Sequence, residues 1–208
     1  MGEIDTKERI LQAAQKEFVL NGFNGARMRA IANTAQVNKG LLHYHFGCKE
    51  NLFEKVFVYV FQKNMQAFEE IIQLDDSLIE SIQRYVSLHI DKLIENPFIP
   101  IYILQETNRD PKKLVKLMGH EMGNSIMHKF EERIKREVEA GTIKPIDSRQ
   151  FVVSLMSMVV FPFLEQPLLE TLFEMDKKAY RVFLEERKKF IPAFIKAALS
   201  LPDSALAT

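Results

Sequence analysis

Nine residues between positions 27 and 49 carry the groups best suited to recognition chemistry: Arg27, Arg29, Asn38, Lys39, Gly40, His43, Tyr44, His45 and Lys49. Their setting matters as much as their types. No Asp or Glu occurs between Glu17 and Glu50, while Arg27, Arg29, Lys39 and Lys49 give this stretch a local charge of +4. The whole chain is neutral, with 28 basic and 28 acidic side chains. A neutral protein with one concentrated cationic stretch suits a polyanion held at one end. Such a gap is only mildly unusual in a chain with 27% charged residues, so charge alone does not define a function.

Other chemistries fit less well. His43, His45 and Cys48 suggest a metal cluster. Alternate positions on a helix diverge by about 200°, so the two imidazoles do not converge on one ion, and no metal is expected. Cys48 beside Lys49 has the setting of a reactive thiol, but an inert small residue is the plainer reading. As the single cysteine it excludes an internal disulfide or a multi-cysteine zinc site and favours a reducing compartment. His120, Glu121 and His128 read as surface groups. There is no P-loop, dinucleotide glycine fingerprint, His-Glu-x-x-His or nucleophile elbow. No catalytic residue, enzyme activity or cofactor is therefore expected.

The elements that must position these groups are helices. Ile10, Leu11, Ala14 and Phe18 share one helical face, behind an Asp5 N-cap with Glu8 three residues on, and Asn21-Gly22 ends that helix. A second short helix spans 28–35 and a third runs from Asn38 to Tyr44 or His45, leaving Gln36 and Val37 for a sharp turn. A long apolar stripe from Leu52 to Phe68 predicts a helix over 49–73. Further helices are expected over 77–95, from Phe98 to Thr107, from Pro111 through Val138, over 148–164 behind Asp147, and over 176–199. No stretch alternates with period two, and no hairpin turn or internal repeat occurs. The fold class is all-α. An N-terminal three-helix domain, 1–48, carries a helix-turn-helix at about 27–46, and an α-helical domain, 49–208, follows. The chain opens on an acidic segment without an apolar signal core. Its longest apolar run, 155–164, is interrupted by Ser157 and Pro162 and is too short for a bilayer. The expected compartment is the cytoplasm, with no membrane partner.

Helix, helix, two-residue turn, helix is the arrangement that lays its last helix in the major groove of DNA. The run Thr6 to Phe18, Asn21-Gly22-Phe23, Met28-Arg29-Ala30-Ile31-Ala32, Ala35 to Gly40, Leu42-His43-Tyr44-His45-Phe46 and Lys49 to Phe53 resembles the DNA-binding domain of the TetR family of bacterial transcriptional repressors. Ala26-Arg27, Gln36, His43 and Cys48 depart from that family's usual Thr or Ser, Gly, Tyr and Ser. Asn38 is placed to cap the third helix, Lys39 to extend a cation at its entrance, and Gly40 to let backbone or a thymine methyl approach. Ile31, Ala32, Ala35, Val37, Leu42 and Phe46 read as the core that sets the helix angles.

The resemblance implies a dimeric regulator. Its partners would be a pseudo-palindromic double-stranded DNA operator, a second copy of the chain and a small-molecule effector. Phe98, Tyr102, Met118, Met122, Met156 and Phe161 supply soft apolar surface for a hydrophobic or amphipathic ligand. Phe151, Leu155, Met158, Val159, Tyr180, Phe183, Leu184, Arg187, Phe190 and Ile191 lie on the last two long helices, which the resemblance implies meet their symmetry mates. An α-helical dimeric adaptor without DNA-binding activity is the alternative, although it would not require Lys39-Gly40 or the acid-free stretch.

Overall fold

The computed structural model describes residues 5–73, 76–118 and 120–200; the side chains of 72, 73, 113, 114, 117, 118 and 120–127 also lie outside the description. Its elements are α1 (Thr6–Gly25), α2 (Met28–Thr34), α3 (Lys39–Phe46), α4 (Lys49–Gln73), α5 (Leu78–Glu95), α6 (Phe98–Arg109), α7 (Pro111–Met118), α8 (His120–Glu139), α9 (Ser148–Leu164), α10 (Gln166–Leu172) and α11 (Lys177–Leu199). The described residues contain no strand, and the fold is all-α. No single described helix is long and apolar enough to cross a membrane.

The contacts divide the chain into two compact units, one of Met1–Asn64 with Glu95–Met118, the other of Met65–Ile94 with Gly119–Thr208. In the first unit α1, α2 and α3 bury Ile10, Ala14, Phe18, Ile31, Ala32 and Leu42. A row of rings continues that core. Phe18 and Phe23 meet the edge of Phe53 at 4.7 and 5.1 Å between centroids, and Tyr102 of α6 lies 5.0 Å from Phe53 and 4.6 Å from Phe57. Burying a Phe ring such as that of Phe57 stabilises by about 2–3 kcal/mol, so this row is a main support of the unit.

The second unit packs Ile82, Val86 and Ile90 of α5 against Phe151, Leu155 and Val159 of α9 and Tyr180, Leu184 and Ile191 of α11. Asp147 and Asp176 cap α9 and α11, accepting from the N–H of Gln150 and Ala179. His89 of α5 is buried, its Nδ1 2.8 Å from the Tyr85 hydroxyl, which donates in turn to the Met156 sulfur. Burial pushes the His89 imidazole down to about 4.

Some expectations need correction. Asp5 precedes α1 without making a side-chain cap. The helix expected from Pro111 through Val138 is described as α7 and α8, on either side of residue 119, which lies outside the described residues. The short helix α10 was not anticipated. Pro167 in its first turn suits a helix start, but its end has no glycine to mark it: Glu174 takes the left-handed conformation there, at φ 53°.

Candidate nucleic-acid interface

Each turn around α2 and α3 has a local cause. Gly22 breaks α1 at φ 64°, where a residue without Cβ is free to go. Arg27 offers no side-chain cap to α2; instead its N–H donates to the Glu17 carboxylate at 3.1 Å, placing negative charge at that helix's N-terminus. α2 closes in a Schellman turn, with the N–H of Gln36 on Asn33 O and that of Val37 on Ala32 O. Gln36 holds its left-handed position at φ 56°.

α3 begins at a cap that is made. Asn38 Oδ1 accepts from the Leu41 N–H at 2.7 Å. Gly40 is part of this arrangement, because a Cβ there would come within 3.3 Å of Asn38 Oδ1. Leu42 is fully buried, and Leu41, His45 and Phe46 are half-buried. That orientation leaves Asn38, Lys39, Gly40, His43 and Tyr44 exposed on α3, with Arg27 and Arg29 exposed on α2. No acidic residue lies between Arg27 and Lys49 in sequence, and in the fold the Glu17 carboxylate meets the Arg27 N–H.

Lys49, His45 and His43, like Asn38, have partners inside the protein. Lys49 Nζ donates to the carbonyls of Asn24 and Ala26, each at 3.3 Å, and lies 4.7 Å from the centre of the Phe23 ring. Its ammonium ties α4 to the chain between α1 and α2, leaving one N–H uncommitted. His45 packs between the rings of Tyr44 and Phe46. His43 Nδ1 lies 2.7 Å from Gly47 O, in the turn that ends α3. Glu17, Phe23 and Gly47 thus support the surface, and sequence reasoning did not assign them. Gly47, at φ 67°, was the one with a legible signal.

The residues expected to form an effector pocket are shared between the two units. Phe98 and Tyr102 belong to the first unit and pack on Phe53. Burial, with the Glu106 and Glu54 carboxylates nearby, pushes the Tyr102 hydroxyl up to about 12. Met156 and Phe161 belong to the second unit and are exposed. The side chains of Met118 and Met122 lie outside the described residues. A cleft of about 550 Å³ in the first unit is lined by Gln12, Gln15, Lys16, Val19, Leu20, Tyr59, Lys63 and Glu95, none of them an expected pocket residue. Among the described residues no cluster of His, Cys, Asp or Glu could hold a metal ion.

Of the residues expected at a seam between two chains, Phe151, Leu155, Val159, Tyr180, Leu184 and Ile191 are buried in the second unit's own core. Met158, Phe183 and Arg187 are half-buried, and Phe190 is exposed. Val153 and Phe161 of α9 and Val182, Phe190 and Phe194 of α11 point outward, and Phe190 stacks on Phe194 at 6.0 Å. Both helices are apolar on more than one side, and spacing alone does not say which side turns inward.

Known proteins agree with this geometry. Residues 10–56 match the family of bacterial regulatory proteins described as the tetR family. The HTH-type transcriptional regulator YhgD of Bacillus subtilis is 29% identical over 146 residues, covering 69% of this chain and 75% of that protein. A TetR-family regulator from Mesorhizobium loti superposes with a TM-score of 0.66 at 19% identity, covering 94% and 97% of the two chains. The regulator FadR of Bacillus subtilis, solved in complex with stearoyl-CoA, has a TM-score of 0.61 at 17% identity, covering 87% and 95%.

Proposed function

We propose that this chain, whose residues 10–56 match the tetR family of bacterial regulatory proteins, is a sequence-specific DNA-binding transcriptional regulator of that family, a repressor released from its operator by a small hydrophobic or amphipathic ligand. The observation that carries this reading is the exposed row Lys39, Gly40, His43 and Tyr44 on a capped α3, flanked by Arg27 and Arg29. The arginines suit phosphate, which positions a protein on the duplex, and α3 suits the base edges, which specify sequence. Asn38 holds the N-terminus of α3 in place. His45 and Lys49 serve mainly to set its angle, Lys49 with one N–H left for phosphate.

In this reading residues 1–48 read DNA and 49–208 regulate and dimerise. One head makes a small interface, and two-fold proteins read two-fold sites with half-sites about 34–36 Å apart or a multiple of that. The outward rings of Phe190 and Phe194 favour α11, with α9 beside it, as the surface that meets a second copy. The effector class rests on the family and on the acyl-CoA held by the B. subtilis neighbour. Incubating the full chain with a pool of random duplexes should enrich a two-fold-symmetric motif. Recovery of no motif at low salt refutes the reading.

A further inference from the structure

One ring nitrogen of His43 is already committed. Nδ1 lies 2.7 Å from Gly47 O, and a carbonyl oxygen only accepts. Nδ1 therefore carries the proton, and in the neutral ring Nε2 is a bare lone pair. The side chain is exposed, one turn beyond Lys39 and Gly40 on the same face of α3. Nearly everything a duplex offers such a face also accepts: phosphate oxygens, guanine N7 and O6, adenine N7 and thymine O4. Only the exocyclic amines of adenine and cytosine donate. A bare lone pair is repelled by this surface. An imidazolium, with a second proton on Nε2, is attracted to it.

Resting on the DNA-binding reading above, we propose that His43 contacts the duplex through Nε2 as an imidazolium, so that each head takes up a proton on docking. The carbonyl of Gly47 and the C-terminal end of α3 favour a cation. Besides His43, the ionisable groups from position 17 to position 50 are Glu17 of α1, whose carboxylate accepts from the Arg27 N–H, then Arg27, Arg29, Lys39, Tyr44, His45, Cys48, Lys49 and Glu50. The duplex brings the negative charge that holds the second proton. The bound state then carries more protons than the free state, so affinity falls as pH rises.

The test uses the full chain and a duplex that it has enriched from a random pool at pH 6, assayed from pH 5.5 to 8.5 at constant ionic strength. Affinity should weaken by up to about tenfold per pH unit for each head. His43→Gln puts an amide N–H near the place of Nε2 and donates at every pH, so it should bind at pH 8 and lose the slope. His45→Gln should keep the slope. An unchanged slope in His43→Gln, or a pH-independent affinity in the unmodified protein, overturns the inference while leaving the DNA-binding reading intact. Failure to enrich any duplex overturns both. Should the His43 variant not fold, imidazole nitrogen NMR of the unmodified protein decides. It should show Nδ1–H in the free chain and a second proton at Nε2 when the duplex is added. An Nε2–H tautomer in the free chain, or a neutral ring in the complex at pH 6, refutes the assignment.

Discussion

Gln36 is exposed and sits at φ 56° in the turn between α2 and α3, a conformation that costs a residue with a Cβ about 1 kcal/mol or more. Gln36→Gly should relieve that strain. It also loosens the unfolded chain, so the net gain should be no more than ~1 kcal/mol, read as a raised unfolding midpoint. A lower midpoint would show that the side chain contributes something the turn geometry does not reveal. His89 makes the opposite kind of demand. Its imidazole is held near 4 by burial, whereas in the unfolded chain it reverts to the ordinary value of about 6.5. Between those values the unfolded state binds the extra proton, so stability is complete above about 6.5 and is lost as pH falls toward 4, by up to ~3 kcal/mol. Urea unfolding at pH 7 and pH 5 should show the loss, and His89→Gln should remove its own share of it. Equal pH dependence in the two proteins refutes this. At this scale the exposed cationic surface of α2 and α3 was legible in residue type, spacing and the absence of acid from the intervening sequence. The inward partners were not, because nothing in the order of residues says that the Lys49 ammonium reaches back to the carbonyls of Asn24 and Ala26.

Between α9 and α11 an unmet bond in one helix is answered from the other. Pro162 lies inside α9 and has no N–H, so the carbonyl of Met158, four residues earlier, loses its helical partner. Arg187 of α11 donates its Nη2 to that carbonyl, and the Tyr180 hydroxyl donates to Pro162 O at 2.5 Å. Arg187 lies over the Phe183 ring and no acid pairs with it among the described residues; burial lowers its pKa. Arg187→Met keeps the apolar stem and removes the donor, which should cost ~1–3 kcal/mol. Pro162→Ala returns an N–H to Met158 O, so Arg187→Met should cost less in that background. A double-mutant cycle with no coupling rules the clamp out. The sequence made elements legible where they were punctuated in the usual way. The Asp147 cap stands where expected, and α11 starts within one residue of its expected start, with Asp176 as its cap. α10 was missed because Glu174 does the work more often given to glycine, and the meeting of Arg187 with Met158 was hidden because it depends on how two distant helices pack.

As a whole the molecule leaves Phe190 and Phe194 uncovered, at 59% and 55% exposure, although both rings are large. Phe190→Glu removes apolar surface without opening the core, so each chain should remain folded. The unmodified protein should scatter light as twice the chain mass, and the variant as one chain that no longer binds a two-fold site tightly. A variant that still pairs would move the interface elsewhere. The first unit has a different kind of consequence. It is completed by two stretches of chain, residues up to 64 and residues 95–118, with 65–94 given to the other unit. The Phe53 and Phe57 rings wait for Tyr102, and Gln15 for Asn96, 2.6 Å away in the finished fold. On the ribosome, then, the segment that carries α1, α2 and α3 emerges before residues 65–94 but is completed only after them. It must remain partly open while part of its neighbour is translated, and this is the interval in which a chaperone or a protease would meet it.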